Sequence, residues 1–264
     1  MIGGFMGTVR RQTGLSRKIS FQAEIYGSRK AMGEAAGKKA EELILQCLKE
    51  KKEIRIIAGS APSQNEILAY LAKSKAIDWR RITSFHMDEY IGLQEDAPQG
   101  FGNYLRARLF SKVPIKKVHY LEGGAAPAKE CERYATLLKK APIDVLLCGI
   151  GENGHLAFND PPVADFNDPL LVKVVNLDSV CRNQQVHDGC FASLKDVPKQ
   201  ALTLTIPVLM NAAHAVCTVP GPTKAAAVGR MLKGPVETKC PASILRFHPD
   251  CHVFLDAESG KELF

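Results

Sequence analysis

From residue 23 onward the chain alternates between two hydrophobic periods. Helix-period stretches occupy residues 31–51, 103–112, 128–140 and 224–232. Short apolar runs stand between them: IRIIA at 54–58, ITSFHM at 82–87, KVHYL at 117–121, IDVLLC at 143–148, ALTLTI at 201–206, AVCTV at 215–219 and CHVFLD at 251–256. Runs of this kind suit strands buried on both faces, and strands separated by helices need long crossover connections. The order predicts a single-domain α/β fold with a mainly parallel, Rossmann-like sheet covered by helices on both faces. A further helix is expected to start in PSQNE, residues 62–66, where Ser63 and Glu66 have capping-box spacing.

In such sheets ligands bind beyond the carboxyl ends of the strands. Four segments occupy that position. In AGSAPSQNE, residues 58–66, a small-residue turn precedes a helix, and free amides at a helix start attract phosphate. Gly59, Ser60 and Ala61 are therefore candidate phosphate contacts, although the same composition suits an ordinary tight turn. Neither a P-loop nor a dinucleotide glycine pattern is present, so nothing here calls for a nucleotide. At FHMDEY, residues 85–90, Asp88 and Glu89 follow a strand end directly. A partly desolvated carboxylate there can act as a general base, and the pair equally fits a solvated turn or a helix cap.

The third segment, GIGENGHLAFNDPP at 149–162, has glycines that let backbone approach a ligand closely. His155 precedes Asp160 by five residues, a spacing at which a carboxylate can fix one ring nitrogen and leave the other for substrate. A lone buried histidine is the plain alternative. Zinc is disfavoured, because the local ligand spacing is wrong and no Cys/His cluster accompanies the histidine. The fourth segment, VPGPTKAAA at 219–227, puts Lys224 in the first turn of a helix, against the dipole, an objection that a bound anion removes.

Composition narrows the classes. The chain has 264 residues, 45% hydrophobic and 24% charged, an ordinary globular balance. No apolar run approaches the ~18–20 residues of a membrane span. The eight cysteines form no C-x-x-C pair, which points to reduced thiols in a reducing compartment. Of the formal charge of +7, +5 lies within the first 30 residues, and the remainder is too balanced for a nucleic-acid stripe. Residues 1–22 read as a basic, disordered tail, with an organelle transit peptide or an early start codon as alternatives. Residues 23–264 read as one domain without internal repeat or linker.

MDEY at 87–90 and GIGENGHLAFNDP at 149–161 resemble the glucosamine-6-phosphate deaminase/isomerase family, relatives of the 6-phosphogluconolactonases. ALTLTIPVL at 201–209, GPTKA at 221–225 and FHPD at 247–250 support the resemblance, which covers about residues 21–264. It implies a cytoplasmic enzyme without metal or cofactor that converts glucosamine 6-phosphate and water to fructose 6-phosphate and ammonia, with a homo-oligomer as an open possibility and no nucleic acid or membrane as partner. By the same resemblance His155 helps open the sugar ring, and Asp88 carries a proton from the second carbon to the first. Asp160 and Asn153 support His155. Gly59, Ser60, Ala61, Glu89, Gly154, Arg182 and Lys224 bind substrate, with the phosphate on the 59–61 turn, Lys224 and Arg182.

Three departures from the family pattern stand out. The best-known members have aspartate where Asn153 stands and glutamate where Asp160 stands. Asn153 can position His155 but cannot stabilise its charge, and Asp160 falls short by about 1 Å, a misplacement that can cost about a hundredfold in rate. Residues 163–177 offer only Lys173 where members activated by N-acetylglucosamine 6-phosphate carry a basic cluster, so no such activation is expected. These departures leave a sugar-phosphate sensor without catalysis, or a lactonase-like hydrolase, as alternatives.

Overall fold

The computed structural model describes residues 20–263. Its strands are β1 (Ser20–Tyr26), β2 (Ile54–Ala58), β3 (Ile82–His86), β4 (Asp88–Tyr90), β5 (Lys117–His119), β6 (Val145–Cys148), β7 (Val172–Asn176), β8 (Gln200–Leu204), β9 (His214–Val219) and β10 (Asp250–Asp256). Seven of them form a parallel sheet in the order β1-β10-β9-β6-β2-β3-β5. The helices are α1 (Arg29–Glu50), α2 (Asn65–Lys73), α3 (Phe101–Leu105), α4 (Pro127–Leu138), α5 (Ser179–His187), α6 (Ile206–Met210) and α7 (Ala225–Lys233).

Both faces of the parallel sheet are buried, which explains why its strands read as unbroken apolar runs. Ile56, Ala58, Val145, Leu147 and Val216 pack with Met32 and Ile44 of α1 and Ile67 of α2. Their chain neighbours Ile57, Leu146, Cys148, Ala215 and Cys217 pack on the other face with Tyr134 of α4, Leu209 of α6 and Val228 of α7. The period of two sends successive side chains to opposite cores. Each large aliphatic side chain so buried contributes roughly 1.5–3 kcal/mol.

One expected strand lies elsewhere. ALTLTI was assigned to the main sheet, but β8 is the centre of a separate antiparallel sheet, β4-β8-β7. Only Met87 separates β3 from β4, far too little for a crossover. The chain therefore kinks out of the main sheet, and Asp88 pairs with Thr203 and Tyr90 with Ala201. A third core of Tyr90, Phe101, Phe158, Val175 and Phe191 fills the space around this small sheet. β1, β7, α5 and α6 were not anticipated; β7 is half exposed, and Lys173 interrupts its apolar residues.

Two boundary expectations also change. Ser20–Gln22, assigned to the basic tail, pair with residues 250–252 in β1, while the rest of that tail lies outside the described residues. Ser63 and Glu66 make no capping box, since α2 begins without a side-chain cap after a single 3-10 turn, Pro62–Gln64. Glu66 pairs instead with Arg29 at 2.8 Å. No described helix is long and apolar enough to cross a membrane.

Candidate active site

β9, β6, β2 and β3 are consecutive in the sheet, and the chain leaves β2 toward β3 on one side and β6 toward β9 on the other. The crevice at such a reversal of strand order is where ligands bind in open parallel sheets. All four segments chosen from the sequence follow the carboxyl ends of these strands and line one cleft. Gln64 ties three of them together: its buried amide donates to the Cys148 carbonyl at 2.9 Å and to Thr218 Oγ1 at 2.7 Å.

Asp88 lines the cleft and is only 6% exposed. Burial, reinforced by the charge of Glu89, holds its carboxyl well above the usual carboxylate range. His86 fixes the backbone beneath it. The ring Nδ1 lies 2.9 Å from the Asp88 carbonyl, and Nε2 accepts the Leu121 N–H at 2.8 Å. That pair of partners requires the Nδ1-protonated neutral tautomer, consistent with burial lowering its pKa to about 4 against the raising effect of the Asp88 carbonyl bond. Nothing in the sequence sets His86 apart except its position directly before MDEY.

The histidine loop is fastened on both sides. The His155 ring lies against Gly151, where an added Cβ would sit 2.1 Å from it, so no larger residue fits. Gly154 has φ +89, a left-handed conformation that glycine adopts without strain, and a Cβ there would meet Cys240 Sγ at 2.7 Å. Asn153 accepts the His155 backbone N–H at 3.0 Å and donates to Asp160 Oδ1 at 2.8 Å. His155 Nδ1 stands 2.8 Å from the same oxygen, within ion-pair distance yet out of line for a ring N–H hydrogen bond. Burial would raise the Asp160 pKa, but His155, Asn153 and Cys181 outweigh it and hold the carboxylate ionised. With Nδ1 turned to Asp160, Nε2 of His155 is the nitrogen left for substrate.

At the other end of the cleft, Lys224 is buried and its Nζ has no hydrogen-bond partner among the described residues. Burial lowers its pKa, opposed by the charges of Asp188 and Glu152. Lys224 directly precedes α7 at its N-cap, so helix dipole and ammonium add their positive charge at one point. The N–H groups of Ser60 and Ala61 have no partner among the described residues, and Ser60 Oγ is likewise unpartnered. Gly59 differs: its N–H is spent on the Leu147 carbonyl at 2.8 Å, and a Cβ would come within 3.0 Å of that oxygen. It shapes the turn and does not donate to a ligand.

Three residues expected to bind substrate do not line the cleft. Glu89, next to Asp88 in a strand, points the opposite way and accepts the N–H groups of Tyr90, Phe101 and Gly102 at 2.9–3.0 Å, capping α3. Gly154 faces Cys240. Arg182 donates to the carbonyls of Leu194 and Val197 and braces that turn. The residues of α5 that reach the cleft are Gln184 and Gln185, with Asp188 just beyond the helix. Arg29, at the start of α1, also lines it, held by Glu66 and the Pro62 carbonyl. Lys173 is engaged by Asp168 and the Val163 carbonyl. The fold also brings Cys181 beside His155 and Asp160, so a Cys/His/Asp cluster exists where local spacing showed none.

The model of the family "glucosamine-6-phosphate isomerases/6-phosphogluconolactonase" matches residues 27–253. The chain belongs to that family. It is 37% identical over 232 residues to a glucosamine-6-phosphate deaminase of Listeria innocua serovar 6a, covering 87% of this chain and 96% of the relative. Among solved structures, a monomeric glucosamine-6-phosphate deaminase superposes with a TM-score of 0.82 at 27% identity, covering 90% of this chain and 98% of that one. A 6-phosphogluconolactonase of Thermotoga maritima shares the fold, with a TM-score of 0.73 at 22% identity over 89% of this chain and 99% of that one.

Proposed function

We infer that the protein is a glucosamine-6-phosphate deaminase, releasing fructose 6-phosphate and ammonia. The observation that carries the reading is that Asp88 and His155, from strands on either side of β2, face one cleft whose far end holds the Lys224 ammonium, without a partner among the described residues. Likeness to the deaminases of known sequence and structure supports the same reading.

The sugar phosphate lies with its phosphate on Lys224 and the Ser60 and Ala61 amides, Arg29 adding charge at the rim. His155 Nε2 moves a proton to the ring oxygen as the ring opens, and the ionised Asp160 steadies the ring while it is charged. Asp88 then takes the proton from the second carbon and delivers it to the first. Its raised pKa suits both halves, since a stronger base accepts more readily and still gives the proton back. Water replaces the nitrogen and ammonia leaves. The ring opening and the transfer between the two carbons are proton transfers by groups of this chain.

The test is a panel of phosphorylated amino sugars with ammonia and ketose phosphate measured together. Equal release of both from glucosamine 6-phosphate is expected. Binding without release would favour a sensor, and hydrolysis of 6-phosphogluconolactone in its place would favour the lactonase branch.

A further inference from the structure

A ring nitrogen of His155, a carboxylate oxygen of Asp160 and the sulfur of Cys181 lie within 4.8 Å of one another, and all three residues are buried. Cys181 arrives from the first turn of α5, which Asp178 caps by accepting the Cys181 N–H at 2.7 Å. His155 Nδ1 and Asp160 Oδ2 are buried without a hydrogen-bond partner among the described residues. Buried polar atoms left without a partner in this way are places where a bound ion or water is expected. Two of them beside a buried thiol make a preformed donor set.

The donors are selective in kind. Thiolate, imidazole and carboxylate together suit zinc, whereas magnesium and calcium take oxygen ligands. Charge balances as well, because one thiolate and one carboxylate cancel a divalent ion, and a neutral complex avoids the cost of burying net charge. In a tetrahedral zinc site the donor atoms stand about 3.3–3.8 Å apart, so closing the cluster needs side-chain shifts on the order of an ångström. Three protein ligands leave a fourth position for water.

We propose that His155, Asp160 and Cys181 form an inhibitory site for a zinc-class divalent ion. The ion displaces the thiol proton and occupies the His155–Asp160 pair, so the loaded protein cannot open the sugar ring and the metal-free form is the working one. The inhibitory half rests on the deaminase reading; the binding half does not.

The experiment titrates chelator-treated wild type, Cys181→Ala and Cys181→Ser with Zn²⁺ and Co²⁺, after their melting transitions show that each is folded. Wild type is expected to bind one tight equivalent of zinc, to show a near-ultraviolet thiolate-to-cobalt band, and to lose turnover in step with zinc occupancy, with recovery on adding chelator. Both variants should bind zinc at least about a hundredfold more weakly and lack the band. The serine variant keeps the test open where the alanine variant does not fold. Equally tight zinc in a folded variant, or a band that persists in it, would place the metal on other thiols and overturn the site. Tight binding without loss of turnover would overturn the inhibitory role. A metal-free wild type that releases no ammonia would sink the deaminase reading while leaving the metal result to stand.

Discussion

Two histidine–aspartate pairs sit at opposite ends of the same parallel sheet. At the carboxyl end, His155 and Asp160 are 2.8 Å apart but poorly aligned, with Nδ1 and Oδ2 left without a hydrogen-bond partner among the described residues. At the amino end, Asp250 opens β10 with Oδ2 2.6 Å from His214 Nδ1 and Oδ1 3.1 Å from His252 Nε2, while its backbone N–H reaches His248 Nδ1. Asp250 thereby ties the starts of β9 and β10 together, and both of its carboxylate oxygens are matched. The shared residue types perform different work because one pair is satisfied and the other faces a cleft. FHPD, part of the family resemblance, thus belongs to the structural end of the sheet and not to the chemistry.

The sharpest way to break this contrast is Asp88→Asn. An amide cannot accept the proton near neutral pH, so deamination and exchange of the second-carbon hydrogen with heavy water should both fall by at least about 10² to 10⁴-fold. Exchange at the wild-type rate would remove Asp88 from the mechanism. Because the Asp88 carboxyl is raised by burial and Glu89, the acid limb of wild-type kcat/KM should lie above the pH of about 4 expected for an ordinary aspartate.

The next largest effect is expected at Lys224→Ala. Losing a buried charged contact to phosphate of about 1.5–3 kcal/mol should raise KM by roughly 10- to 100-fold with kcat little changed, since the contact is the same in ground and transition states. An unchanged KM would move the phosphate elsewhere in the cleft.

The amino-end pair should respond to pH instead of substrate. The Asp250 bond raises the His214 pKa to about 9, with burial opposing, and Asp250 itself is lowered. The charged pair therefore adds stability between the unfolded pKa values, about 4 for Asp and 6.5 for His. The His214 contribution is complete below pH 6.5 and is lost as pH rises through about 9. Allowing for solvent screening of a partly exposed group, it is about 1–2 kcal/mol. The melting-temperature gap between wild type and His214→Gln should be wide at pH 6 and narrow above pH 9.5, with kcat unaffected. A gap independent of pH would show that packing, not the ion pair, holds this end.

The smallest effect belongs to Arg182→Ala. Since the guanidinium braces the turn at Leu194 and Val197, KM should stay within about twofold while stability drops by about 1 kcal/mol. A tenfold rise in KM would restore Arg182 as a phosphate ligand. N-acetylglucosamine 6-phosphate should likewise leave the saturation curve unshifted, because Lys173 is already engaged by Asp168.

Local pattern was enough for six of the seven strands of the main sheet, β1 being missed, and for the segments that meet at the cleft. Buried parallel strands show as apolar runs, and small or acidic residues at their carboxyl ends mark the ligand side in the sequence alone. Asp88, His155, Lys224, Ser60 and Ala61 were legible on that basis, because each follows a strand whose end the sheet brings to one edge. The antiparallel sheet was not, because an apolar run carries no label for its partner, and the Met87 kink that diverts β4 is a single residue.

What pairs with what was decided in three dimensions. Glu89 and Asp88 are neighbours in sequence, and the pleat sends them to opposite sides, one to cap α3 and one to the cleft. Arg182 and Gln185 are less than one helical turn apart, and only the docking of α5 determines that the amide faces the cleft while the guanidinium faces the 194–197 turn. Arg29 joined the cleft because Glu66, 37 residues away, holds it there. Cys181 met His155 because α5 docks beside the histidine loop. Side-chain period and strand ends follow from nearest-neighbour chemistry along the chain, whereas a contact between distant residues exists only once the packed elements have fixed which faces meet.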